Sequence, residues 1–201
     1  MPGSELVVLF GDELEEVQPA KVGTKVANGA RVSLRDLAIM IVAVGVADLV
    51  QRGAATLGHQ QTTKFFRSKR SMTLAVEQDA GDGFTELVAR SAHPQIQVDQ
   101  VLLAILGRKV LGPERALLLV AHGFLEPTGA VLNDGGLLRR AGTALGVSAD
   151  VIQPARAATL RPDWEPLRDA WMAWKAADAD LAAELVEQLR KGIAVAKDYS
   201  E

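Results

Sequence analysis

The chain has 201 residues, 48% of them hydrophobic, a net charge of −3 and no cysteine. That length allows one domain or two small ones around a packed core, and the lack of cysteine excludes disulfides and thiolate metal sites. A pI near 5.7 argues against a dedicated nucleic-acid binder.

Aromatic residues make up 4% of the chain, with Ala, Val and Leu in their place, which is a helical composition. Met1 to Ala20 is acidic and lacks a basic start followed by an apolar run, so no signal peptide is expected and the expected compartment is the cytoplasm.

Ser4–Phe10 fits a short helix or a strand, and Gly11–Glu16 is an acidic turn. Residues 18 to 32, with Pro19, Gly23 and Gly29, read as a loop with short extended pieces. Ser33-Leu-Arg-Asp36 resembles a capping box with Asp in place of Glu. It opens a stretch to about Arg52 in which no residue between Asp36 and Asp48 is charged. This stretch is too short to cross a bilayer, which needs about 20 apolar residues. Its Ile and Val content would suit a buried strand, but the cap and the stop at Gly53 predict a helix buried on nearly all sides.

Thr56 to Val76 alternates like two or three short strands and predicts a β-hairpin. From Leu49 through Val76 there is no acid, while Lys64, Arg67, Lys69 and Arg70 crowd around Phe65 and Phe66. Asp79–Gly83 reads as a turn, because the alternating ligands and distal Glu of a calcium loop are missing. Helices are predicted over 84–92, 98–108, 112–122 and 137–145, with His93-Pro94 ending the first and Pro113 opening the third. Asn133–Gly136 is a turn without the Gly-Lys-Ser/Thr ending of a phosphate loop. Trp164, Leu167, Trp171 and Trp174 share one helix face, and Leu181, Leu185, Leu189 and Ile193 share another. Residues 162–198 are therefore expected to form a helical hairpin packed on a single domain spanning 1–201.

No nucleophile elbow, dinucleotide turn or metal-ligand spacing is present. His59, His93 and His122 have no sequence neighbours at ligand spacing, and acid pairs such as Asp12/Glu16 and Glu184/Glu187 read as solvated faces. The expectation is a protein that is not an enzyme, with no catalytic residue, no metal and no cofactor. The basic-aromatic tract fits an anionic membrane surface, where the rings enter the acyl boundary and the bases are drawn to head groups. It also fits a partner protein, a second copy of the chain, or an edge strand that its charges merely solvate.

The Glu5-Leu-Val-Val-Leu start, the acidic turn, the apolar helix ending in Arg52-Gly53, the hairpin, and the segment Glu114-Arg-Ala-Leu-Leu-Leu-Val-Ala-His-Gly-Phe-Leu125 together resemble the GPP34 (Golgi phosphoprotein 3-like) domain family over about residues 4 to 127. The resemblance implies a mostly helical peripheral membrane protein with a projecting hydrophobic β-hairpin that binds phosphoinositide or other anionic head groups. By position it implies membrane contact at Phe65 and Phe66 and makes Arg115 a head-group candidate.

The combined expectation is a mainly α fold with a small projecting β-hairpin, in which winged-helix-like helix/strand units are an option. Its function would be non-enzymatic, peripheral membrane or scaffold-type binding through Lys64, Phe65, Phe66, Arg67, Lys69 and Arg70. The alternatives are a winged-helix DNA regulator reading a groove with helix 98–108 or 112–122, and a subunit of a protein assembly that uses the hairpin as its interface.

Overall fold

A computed structural model of the chain describes residues 3–64, 67–77, 86–105, 138–140, 149–152 and 158–198. Helix α1 (Gly3–Phe10) is followed by a 3-10 turn (Gly11–Glu13), strands β1 (Pro19–Lys25) and β2 (Arg31–Val32), and helix α2 (Leu34–Gln51). Then come β3 (Ala55–Lys64), β4 (Arg67–Val76), α3 (Glu86–Ala92), β5 (Gln95–Gln97) and α4 (Val98–Ile105). Strands β6 (Leu138–Arg140) and β7 (Ala149–Ile152) precede the long helices α5 (Arg161–Ala177) and α6 (Ala179–Asp198).

The fold is mixed α/β, which corrects the expectation of a mainly α domain. Among the described residues there are three antiparallel sheets: β1-β2, β3-β4-β5 and β6-β7. The difference comes from short strands that are defined by the ladder a neighbouring strand offers more than by a pattern of their own. Residues 18–32, read as a loop with short extended pieces, form a ribbon in which β1 pairs with the two-residue β2. The hairpin strands are ten residues each and not short pieces. Gln95–Gln97 carries no strand pattern of its own and is a strand because β4 offers it a ladder. Leu138–Arg140, expected in a helix over 137–145, instead pairs with Ala149–Ile152.

The chain divides into two compact units, Met1–Ile41 with Leu117–Ala170 and Val42–Ala116 with Trp171–Glu201. The division falls within α2 and within α5. Both ends of α2 are made as its sequence predicts. The Ser33 hydroxyl accepts the Asp36 N–H at 3.2 Å, and the Asp36 carboxylate accepts the Gln18 N–H at 3.3 Å. At the far end Gly53 takes φ +70°, its N–H reaches the Val50 carbonyl, and the Ala54 N–H reaches that of Leu49. This is a Schellman closure around a left-handed glycine. Between the caps every apolar side chain from Leu37 to Ala47 is 3% exposed or less.

In the first unit Phe10, Leu14 and Trp164 are buried. In the second, Met72 and Leu74 of β4, Val101 and Leu102 of α4 and Leu185 and Leu189 of α6 are buried. Helix α6 lies against α4 so closely that a Cβ on Gly192 would sit 2.1 Å from the Asp99 carbonyl oxygen. The clash is with backbone, which cannot swing aside. Replacing Gly192 with Ala is expected to lower stability by about 1–3 kcal/mol despite alanine's better helix propensity. Chemical denaturation checks this, and a variant as stable as the parent would contradict so close an α4–α6 approach.

Candidate functional site

The β3–β4 ladder runs without a break through ten register pairs, from Ala55 with Val76 to Lys64 with Arg67. The third strand covers little of it, because β5 pairs with β4 only at Thr73, Leu74 and Ala75. The pairs from His59–Met72 outward to Lys64–Arg67 therefore form a two-stranded ribbon beyond the sheet. The first part of that ribbon is packed, with Met72 1% and Ser71 3% exposed. From the Gln61–Arg70 pair outward it changes character, and both of those residues are exposed.

All four bases of the predicted tract fall in those last four pairs. Arg70 stands opposite Gln61, Lys69 opposite Thr62, and Arg67 opposite Lys64. Lys64, Arg67 and Lys69 occupy one parity of the ladder and Arg70 the other, so the two-residue strand period divides the charge over the ribbon. Phe65 and Phe66 lie outside the described residues, as do Arg115, the helix expected at 112–122, the turns at 79–83 and 133–136, and His122.

A second cluster joins Trp164 to three residues, Glu13, Arg161 and Arg168, that sequence reading did not single out. Glu13 closes the 3-10 turn, and Arg161, Trp164 and Arg168 recur at i, i+3 and i+7 of α5, on one helix face. The Glu13 carboxylate accepts from Arg161 Nη1, from the Trp164 indole N–H at 3.0 Å and from Arg168 Nη1 at 3.3 Å. The Trp164 ring stacks on Phe10 with centroids 5.9 Å apart, and the Arg161 guanidinium lies 5.4 Å from the centre of the same phenyl ring. The hydrogen bond with Asp169 is the main cause pushing Arg168 above its ordinary value, with Glu13 adding to it. The acidic turn is thus held at Glu13 by two guanidinium groups and an indole N–H. The arginine spacing on the tryptophan helix was the available signal, but nothing local connects it to a turn 148 residues earlier.

Beside Glu13, burial holds the Asp12 carboxyl above the usual carboxylate value, and the hydrogen bond from Asn28 Nδ2 offsets part of the rise. Two histidines also gain partners. His59 Nε2 lies 3.0 Å from both carboxylate oxygens of Glu184 on α6, and His93 Nδ1 donates to the Val76 carbonyl at 3.0 Å. Glu184, expected on a solvated face, is therefore paired. Among the described residues no group of three or more His, Asp or Glu is placed to hold a metal ion, and no helix is long and apolar enough to cross a membrane.

No protein-family model, no curated protein and no solved structure matches the chain. The likeness to the GPP34 family accordingly rests on the residues quoted for it.

Trp164 is fully buried, so loss of the Glu13 carboxylate would leave its N–H without an acceptor. Glu13→Ala is expected to cost about 1–3 kcal/mol in denaturant unfolding, and an unchanged midpoint would show that the cluster is not formed in solution. Asp12 gives the opposite sign at neutral pH. Its raised value means the folded state favours the protonated form, a contribution that is full below the unfolded carboxylate range and lost as pH rises through the folded value. Asp12→Asn keeps an acceptor for Asn28, so it should melt above the parent at about pH 7 and lose that advantage towards about pH 4. Melting curves at both pH values decide this, and an advantage independent of pH would contradict it.

Proposed function

We propose that this protein is a non-enzymatic binding protein of peripheral membrane or scaffold type, and that its hairpin arm contacts anionic lipid head groups. The observation carrying this reading is the collection of Lys64, Arg67, Lys69 and Arg70 in the last four register pairs of a ribbon that continues beyond its third strand. Edge strands are commonly guarded by charged side chains. Four bases without an acid along the whole hairpin make a local potential that a net charge of −3 does not suggest.

Each Lys or Arg close to an anionic bilayer contributes roughly 1 kcal/mol of attraction, which fades within a Debye length. Four give marginal, salt-sensitive binding, and Phe65 and Phe66, between Lys64 and Arg67 in the chain, supply the apolar component that such electrostatic contacts need to become stable.

The test is co-sedimentation with phosphatidylserine-containing and neutral vesicles at low and moderate salt. The parent should bind the anionic vesicles selectively. The fourfold variant Lys64→Glu/Arg67→Glu/Lys69→Glu/Arg70→Glu should lose binding at every salt concentration, and Phe65→Ser/Phe66→Ser should weaken it. Undiminished binding by the fourfold variant would rule out the arm as the contact. Binding of the parent to neither vesicle type would remove the lipid reading and leave a partner protein as what the arm meets.

A further inference from the structure

Thr73 marks the end of the three-stranded region, since it pairs with Gln97 of β5 on one side and Gly58 of β3 on the other. The next pair outward, His59 with Met72, is the first of the two-stranded ribbon. At that pair His59 Nε2 meets the Glu184 carboxylate, 3.0 Å from each oxygen, across 125 residues of chain. The side chains are 26% and 36% exposed, so the contact lies at the edge of the packed region. Past it, Gln60, Gln61 and Arg70 are exposed.

We propose that His59 and Glu184 form a clasp at the root of the basic arm, with Glu184 a positioning residue that sets the direction in which the arm leaves the sheet. This inference rests on the reading of the arm as a contact surface. A two-stranded ribbon is marginally stable by itself and twists readily, so whatever holds its root decides where its end lies. Lys64 stands five residues along β3 from His59. At the rise of a strand that is about 17 Å, so a change of about ten degrees at the root moves the tip by about 3 Å. A partly exposed imidazole–carboxylate contact adds little to global stability, yet at this point of the ladder its geometric effect is multiplied by the length of the arm. Symmetric placement of one nitrogen between two oxygens suits that task, because it fixes the imidazole against sliding to either side. The neighbouring Glu187, which pairs with Lys191 along α6 at 3.6 Å, provides a control on the same helix.

The experiment compares the full chain with Glu184→Ala, with His59→Thr (a change that a strand accepts), with the double variant and with Glu187→Ala. Amide hydrogen exchange over residues 60–71 and co-sedimentation with phosphatidylserine vesicles are read for each. Each single clasp variant should raise exchange in that segment about threefold or more and weaken vesicle binding several-fold. The double variant should add nothing further, Glu187→Ala should match the parent, and melting temperatures should stay within about 2 °C. Exchange equal to the parent's, additive effects in the double variant, or faster exchange throughout residues 42–105 with a fall in melting temperature would each overturn the clasp. Faster exchange of the arm with unchanged vesicle binding would overturn its positioning role. The proposed contact itself fails separately, if the fourfold Glu variant still binds.

Discussion

A helix with no charged side chain between Asp36 and Asp48 has no face it can leave in water, and the burial of α2 on all sides is the constraint from which the rest follows. Its apolar side chains from Leu37 to Ile41 belong to one compact unit and those from Val42 to Ala47 to the other, and in both units they are almost fully covered. The polar groups are pushed to the two ends. Ser33 and Asp36 satisfy the first turn, and the left-handed Gly53 closes the last. Gly53 also reverses the chain two residues before β3 begins, so the same closure that ends the helix sets the start of the long hairpin.

The hairpin shows how differently local and non-local pairing are recorded in a chain. Alternation between Thr56 and Val76 announces two strands, because each residue's face is set by its neighbour two positions away. It does not announce how far the pairing runs, nor that β5 joins only at the inner end. Where a third strand stops is decided by how few residues separate His93-Pro94 from α4, which leaves room for Gln95–Gln97 and no more. That limit leaves the outer pairs, with their four bases, two-stranded among the described residues.

The charged clusters follow from the same economy. Glu13 and Asp12 sit one residue apart in an acidic turn yet meet opposite surroundings. One carboxylate is gripped by two guanidinium groups and an indole N–H, and the other is desolvated, with a single amide donor among its partners. Burial raises the Asp12 carboxyl above its usual value, and the hydrogen bond from Asn28 offsets only part of that rise. The difference between the two acids is one of position and not of type. His59 and Glu184 repeat the lesson in the second unit, where a residue on a strand and one on a distant helix become partners only after both elements are packed.

What the sequence determined by itself was everything governed by near neighbours: the cap and stop of α2, the existence of the hairpin, the basic tract, and the helical run after Pro162 with its tryptophan stripe. These rest on hydrogen bonds and periodicities that span a few residues, so the signal stays inside the window in which it is read. Tertiary structure alone decided that the fold is mixed α/β, that the extended pieces of 18–32 pair into a ribbon, that Leu138–Arg140 and Ala149–Ile152 are strands, and that Gln95–Gln97 completes a sheet. It alone decided that Glu13 meets α5 and that His59 meets Glu184. A strand of two or three residues has too little pattern to distinguish it from loop, and a carboxylate looks the same in sequence whether it faces water or a guanidinium. Both are defined by a partner more than a hundred residues away or by a ladder offered from outside, and such pairings come into being only when the chain has folded.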